Sequence, residues 1–376
     1  MRICLLAHFY KFEGSSISRV VLLTANNLSM LGHDVSIILP KKMEIPKLLF
    51  NKKIKYIFPF INPRIRGGFS LVETIYKSIM VLIGNYDVLY VYRGLRPSSI
   101  IPVIISKYLL KTKLFEEWWE WYGKEGIGKN RKGFSGKLIS LYDTFFELKL
   151  KYFYTGVVCI NKTLQSRIEK HKNSIVLRGA SEQNNIKKFH REYAKDKLNI
   201  NKSKFIIGLS NFDSSDIADN LPFLKAFEKI NDSTKLLLVT GSDSYKIKKY
   251  LKKANYIALG WIDFEFYNYF LSACDVFVLP FPNSKRNQGR WPNKIGDYVA
   301  SSRKIITNPT GEVKDFINEH SGIGQLILNN EIEYFNLLNK TKYNDLIEID
   351  ELTFENAANS LSYKNRTLKL SCFFKS

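Results

Sequence analysis

The chain has 376 residues, 45% of them hydrophobic, which is material for two domains of ordinary size and too much for a disordered chain. Lys and Arg number 57 against 35 Asp and Glu, a net charge of +22 (57 − 35). This excess is spread along the sequence without a recognised reading motif, so it argues against a nucleic-acid binder and for a diffuse field that attracts anionic substrates and acidic lipid surfaces. Cys4, Cys159, Cys274 and Cys372 form no Cys-x-x-Cys pair and read as reduced thiols. Met1-Arg2 leads directly into a strand, so no signal peptide is expected, and no run approaches the ~20 apolar residues that span a bilayer. The expected location is the cytoplasm, with the inner face of the cytoplasmic membrane as a docking surface.

Arg2 to Phe9 reads as a buried parallel strand, followed by a loop at Tyr10–Ser16, a helix to about Leu31 and a second strand from Asp34 to Leu39. A third strand spans Ile54–Pro59, a basic glycine-containing loop Asn62–Gly68, and a very apolar helix Ser70–Ile83. Asp87–Tyr92 is the next strand, with Arg93 and Arg96 at its carboxyl end, where open α/β sheets bind ligands. Lys113–Phe115 forms a short strand that runs into Glu116-Glu117-Trp118-Trp119-Glu120-Trp121-Tyr122. Acids beside aromatic faces suit a sugar ring, which needs an apolar platform and hydroxyl acceptors; a hydrophobic anchor at a domain edge fits the same residues. Gly123–Gly136 is a basic, glycine-rich loop. The helix expected over Lys137–Tyr154 either buries its apolar face or rests it on a membrane.

Strands at Gly156–Asn161 and Ser174–Leu177 close the first half, and the polar stretch 184–201 holds the expected domain junction. The divisions are an N-terminal domain over 1–185, a C-terminal domain over 200–355 and a final helix from 356 to 376. The second half restarts the alternation: strands at Phe205–Ser210, Lys235–Gly241, Tyr256–Trp261 and Asp275–Phe281, with helices at Leu221–Ile230, Tyr245–Ala254 and Phe264–Ala273. From Arg290 to Glu312 the order is turn, helix, strand, turn. Pro292 suits a first helical turn. Asn293, Lys294 and Asp297 then share one face, and Ile295 and Val299 another. A helix N-terminus can hold a phosphate, and an Asp less than two turns in can accept sugar hydroxyls. An ordinary amphipathic helix with its polar face in water fits the same spacing.

Leu279-Pro280-Phe281, Pro292-Asn293-Lys294-Ile295-Gly296-Asp297-Tyr298-Val299-Ala300 and Ile305-Ile306-Thr307-Asn308 resemble the donor-site segment of glycosyltransferase family 4. Leu259-Gly260-Trp261 and Ala273-Cys274-Asp275 extend the resemblance, as do Gly14 and Arg19 in the first loop and helix. It implies a GT-B fold: two Rossmann-like domains facing across a cleft, acceptor on the first, nucleotide sugar on the second, and the last helix crossing back. It also implies a hexosyltransferase that retains anomeric configuration, with no cofactor and no metal, acting on a glycan or lipid-linked acceptor in cell-envelope polysaccharide synthesis. The chain departs from the pattern where the first of two paired acids falls on Gly289, where the usual basic pair after Ser210 is replaced by Asn211, Ala218 and Asp219, and where a glycine is Ser302. Catalytic roles are therefore expected of Arg290 and Lys294 on the phosphates and of Glu117 on the acceptor hydroxyl. Asn293, Asp297, Gly296, Ser210 and Asn211 are the donor-binding candidates. Gly14, Ser15, Arg93 and Trp119 are the acceptor-binding ones. An inactive nucleotide-sugar binder and a GT-B-like sugar-nucleotide epimerase are the alternatives.

Overall fold

The computed structural model describes every residue except 11–15, 64, 66, 171–172 and 341–349. The chain divides into two compact units: Met1–Ala180 with Gly289–Trp291 and Tyr363–Ser376, and Ser181–Gln288 with Pro292–Ser362. Gly14 and Ser15 lie outside the described residues.

Unit 1 is built on seven parallel strands, β1 (Arg2–Leu6), β2 (Asp34–Ile38), β3 (Lys55–Ile57), β4 (Val88–Tyr92), β5 (Lys113–Trp118), β6 (Gly156–Cys159) and β7 (Ser174–Val176), in the order β3-β2-β1-β4-β5-β6-β7. Parallel sheets are covered on both faces, which is why their strands read as continuous apolar runs. The crossovers carry α1 (Ser16–Met30), α2 (Leu71–Gly84), α3 (Pro97–Leu109), α4 (Gly133–Phe146) and the short α5 (Lys162–Ser166). The helix expected over Lys137–Tyr154 starts earlier and stops at Phe146, and a 3-10 turn at Lys149–Phe153 takes up the rest. Residues 97–109, which no periodicity singled out, are helical, opened by Pro97 in the first turn.

Unit 2 has six parallel strands, β8 (Phe205–Leu209), β9 (Lys235–Thr240), β10 (Tyr256–Gly260), β11 (Val276–Leu279), β12 (Lys304–Thr307) and β13 (Gly324–Leu326), in the order β10-β9-β8-β11-β12-β13. Its helices are α6 (Arg191–Lys197), α7 (Ile217–Glu228), α8 (Phe264–Ala273), α9 (Lys285–Gln288), α10 (Lys294–Ala300), α11 (Gly311–Glu319), α12 (Glu331–Lys340) and α13 (Glu351–Ser360). The helix expected over Tyr245–Ala254 is a 3-10 stretch, Ser244–Lys249. Phe223, Phe227 and Tyr334 fill a core with Leu237, Val239 and Val278 under this sheet.

The last helix, α14 (Tyr363–Lys375), belongs to unit 1. Leu370, Phe373 and Phe374 enter the core of that unit, with Phe374 at 4.8 Å from Phe115 and 5.1 Å from Tyr90 between ring centroids. Full burial of one such ring is worth ~1.5–3 kcal/mol, so the helix is an integral part of the unit. Arg366, one turn into α14, reaches Glu117 on β5 and completes the attachment.

Candidate functional site

In both sheets the chain reverses its direction of growth beside the first strand, between β1 and β4 in unit 1 and between β8 and β11 in unit 2. The carboxyl ends of strands at such a reversal form the crevice that α/β proteins use for ligands. Arg93 of unit 1 and Ser210 and Asn211 of unit 2 directly follow strands at these reversals.

In unit 2, β8 ends at Leu209 and is followed by Ser210, fully buried, and Asn211, exposed with φ of 51°. The Asn211 N–H bonds the Thr240 Oγ1 at 3.1 Å, which holds this left-handed residue at the end of the strand. Lys294 donates from Nζ to the Ser210 carbonyl at 2.9 Å. The Ser210 hydroxyl and the Tyr298 phenol hydrogen-bond, and the Tyr298 ring lies flat on Phe277 at 3.9 Å. Asp297 accepts from the Tyr267 phenol of α8 at 3.0 Å. Burial, and then the Asp297 charge, push the Tyr267 pKa far up, so the phenol remains a donor and fixes the carboxylate. The structure thus brings Ser210, Asn211, Lys294 and Asp297 to one end of the unit 2 sheet.

Two parts of this region differ from the sequence expectation. Helix α10 begins at Lys294, two residues after Pro292, and Asn293 has helical backbone angles with no side-chain cap. The Ile295 and Gly296 N–H groups bond the carbonyls of Pro292 and Asn293 at 3.1 and 3.0 Å, so two donors expected to face an anion close the helix's own first turn. What this turn does offer is the Asn293 Oδ1, enclosed and, among the described residues, without a hydrogen-bond partner. Gly296 is where Ser181 packs: a Cβ built there would stand 2.5 Å from the Ser181 Cβ, so the glycine answers a close approach. Arg290 and Trp291 group with unit 1, whereas Lys294 is in unit 2. Arg178 stacks over the Trp291 ring at 5.8 Å within unit 1.

At the corresponding end of unit 1, β1 and β4 are in register to Leu6 and Val91, so His8 and Arg93 stand at equal steps beyond the paired residues. His8 is 2% exposed, and among the described residues neither ring nitrogen has a hydrogen-bond partner. Gly68, with φ of +85°, leaves it room; a Cβ there would stand 2.7 Å from the His8 ring. Burial, and then the charges of Arg93, Lys77 and Arg96, hold His8 well below its ordinary pKa, so the imidazole is neutral. Arg93 has φ of 60°, its guanidinium lies 5.5 Å from the Tyr122 ring centroid, and among the described residues no carboxylate pairs with it. Arg96, expected to face the crevice, is instead 3% exposed and clasps Asp143 of α4 with both guanidinium nitrogens. Beneath His8, Tyr10 donates to Glu73 at 2.7 Å, Ser98 donates to Glu73 at 3.0 Å, and Lys77 bonds both Glu73 at 2.7 Å and the Ala7 carbonyl at 2.9 Å.

Strand β5 runs to Trp118 rather than stopping at Phe115, and this places Glu116 and Glu117 of the acid–aromatic stretch inside the protein. Glu116 pairs with Lys151 and Glu117 with Arg366, all four at most 3% exposed on their side chains. Burial raises the Glu117 pKa, and Arg366 and then Trp119 oppose that shift. Trp119 is half-buried against the unit 1 core. Sequence reasoning missed His8, Tyr267 and Arg366, the ion-pair partner of Glu117. None has a local signal, because each acts through a residue distant in the chain. Among the described residues no group of three or more His, Cys, Asp or Glu side chains is arranged to hold a metal ion.

No protein-family model matches the chain, and no curated protein matches it either. Solved structures do. A glycosyltransferase from Rickettsia africae superposes with a TM-score of 0.73 at 15% identity, covering 100% of this chain and 97% of that one. Sucrose-phosphate synthase from Thermosynechococcus elongatus gives 0.73 at 13% identity, over 100% and 98%. Anabaena HepE, solved in complex with UDP-glucose, gives 0.70 at 12% identity, over 100% and 99%. Likeness at this level of identity establishes architecture: the chain has the GT-B fold, with two Rossmann-like domains and a C-terminal helix that returns to the first.

Proposed function

We propose that the chain is a retaining, metal-independent hexosyltransferase that moves a sugar from a nucleoside diphosphate sugar to a hydroxyl of a glycan or lipid-linked acceptor. The observation that carries this reading is the cluster at the end of β8, where Lys294 is anchored on Ser210 and Asp297 is oriented by Tyr267. Asp297 is the acceptor for ribose hydroxyls, and Asn293 adds, nearby in sequence, an oxygen unpartnered among the described residues. Lys294 is the cation for the diphosphate. A leaving diphosphate gains charge as the glycosidic bond breaks, so a fixed ammonium stabilises the transition state more than the ground state.

Unit 1 supplies the acceptor side in this reading, with Arg93, Tyr122 and Trp119 near the end of its sheet. Glu117 has a different role: buried against Arg366, it fastens α14 to β5. The net charge of +22 supports attachment to the anionic inner face of a membrane, where a lipid-linked acceptor would be presented. Among the described residues no helix is long and apolar enough to cross a membrane.

The test is sugar transfer from a panel of nucleoside diphosphate sugars to lipid and glycan fractions, with Lys294→Ala and Arg290→Ala beside the parent. Lys294→Ala should lower transfer by about tenfold or more while weakening a bare nucleoside little. Arg290→Ala, made separately, reads whether that residue contributes to the diphosphate. A folded parent that binds nucleotide sugar without transferring it is the inactive binder, and one that inverts a sugar carbon without an acceptor is the epimerase.

A further inference from the structure

Helix α2 is inside out. Its only charged residues, Glu73 and Lys77, are buried together with Thr74, Tyr76 and Ser78, whereas Leu71, Ile75, Ile79 and Ile83 face solvent at helical spacing, 46–71% exposed. The sequence Ser70-Leu71-Val72-Glu73 has the form of a capping box, and Ser70 does accept from the Glu73 N–H. The Glu73 carboxylate turns inward instead, to Lys77, Tyr10 and Ser98. Helix α4 repeats the inversion. Its buried residues are Ser140 and Asp143, and its outer face carries Phe134, Leu138 and Phe145, 51–80% exposed. Phe69, just before α2, meets Tyr142 of α4 at 5.7 Å, with Arg96 over both rings.

We infer that these two faces form one surface that inserts into the interface of an anionic lipid bilayer. Charge complementarity selects this occupant. The segment leading into α4 carries Lys124, Lys129 and Lys132 against one acid, Glu125, α4 itself adds Lys137, and Lys149 lies 3.4 Å over the Phe145 ring at the far end of the apolar face, while Arg131 is taken up by Asp143. Apolar residues rimmed by lysines match a headgroup boundary, where the rings and aliphatic chains enter the acyl region and the ammonium groups stay with the phosphates. A second copy of the chain would meet the same lysines with its own. The inversion also gives the faces a reason: Glu73 of α2 holds Tyr10, which accepts from the Gly68 N–H, and Asp143 of α4 holds Arg96, leaving the apolar sides outward. An acceptor held in the same bilayer would then reach the end of the unit 1 sheet from the membrane side.

This inference rests on the proposed membrane attachment, and one experiment separates the two. Flotation with neutral phosphatidylcholine vesicles and with vesicles containing phosphatidylglycerol is measured for the parent, for Ile75→Glu/Ile79→Glu, and for Lys129→Ala/Lys132→Ala. The parent should float with the anionic vesicles, and the isoleucine variant should lose about tenfold or more of that binding at equal thermal stability. The lysine variant should bind less on anionic vesicles only. A parent that ignores anionic vesicles at low salt overturns the attachment itself. A parent that binds, with an isoleucine variant that binds equally, overturns the insertion of these faces. A parent that sediments as a dimer until the isoleucines are changed shows the surface to be a contact between copies and likewise overturns it.

Discussion

Helix α2 of unit 1 and helix α7 of unit 2 each serve as a crossover of a parallel sheet of the same type, and their polarity is opposite. α7 puts Phe223, Leu224, Ala226 and Phe227 inside and leaves Lys225 exposed. α2 puts Glu73 and Lys77 inside and leaves isoleucines exposed. Both solutions bury satisfied groups: one by close packing of apolar surface, the other by an ion pair with further hydrogen bonds. The comparison shows that apolar periodicity can mark a helix without saying which face is inside. A second unit of the same architecture can spend its outer face on a partner instead of on water.

The largest expected effects come from cutting each interior. Phe223→Ala should cost ~3–5 kcal/mol of unfolding free energy, the usual loss for a buried ring. Lys77→Ala should cost a similar ~3–5 kcal/mol, because it leaves the Glu73 carboxylate buried without its cation. Urea unfolding read by circular dichroism checks both. A Lys77→Ala loss below 1 kcal/mol would mean that α2 does not depend on its polar side.

His8 gives a smaller, pH-dependent effect that unit 2 has no equivalent for at its sheet end. Its folded pKa is depressed, so below the ordinary value near 6.5 the unfolded chain binds a proton that the folded chain refuses. The contribution of His8 to stability is therefore present above pH 6.5 and is lost as pH falls through that value, by up to ~1.4 kcal/mol per pH unit. His8→Phe removes the titration, and its stability between pH 7 and 5 should fall less steeply than the parent's. Parallel curves for the two proteins would show that the imidazole takes up its proton while folded. Smallest of all is the effect on folding of Ile75→Glu, expected within ~0.5 kcal/mol because the side chain it replaces is already in solvent.

Most of the strands were legible in the sequence because a parallel sheet buried on both faces needs short, continuous apolar runs, and β1, β8, β9 and β12 are such runs. Strand β5 was cut short at Phe115 because Glu116 and Glu117 break the run; their cations, Lys151 and Arg366, lie 35 and 249 residues away. Helix α3 was missed for a related reason, since Pro102 inside it and three serines hide an apolar pattern. At the candidate site, Lys294 and Asp297 could be singled out because a helix start constrains spacing. Tyr267, which orients Asp297, comes from another helix and leaves no trace in the local pattern. His8 is a single residue after a strand, and only the three-dimensional neighbours Gly68 and Arg93 give it meaning.

The central claim, that unit 2 holds a nucleoside diphosphate through Asp297 at the end of β8, is tested most directly by calorimetry. Uridine, guanosine and adenosine diphosphates are titrated into the parent and into Asp297→Ala. The account predicts that at least one binds the parent and that Asp297→Ala weakens it about tenfold or more, as loss of a charge-assisted hydrogen bond worth ~1.5–3 kcal/mol requires. Unchanged affinity in a folded Asp297→Ala, or no binding of any diphosphate by the parent, would contradict it.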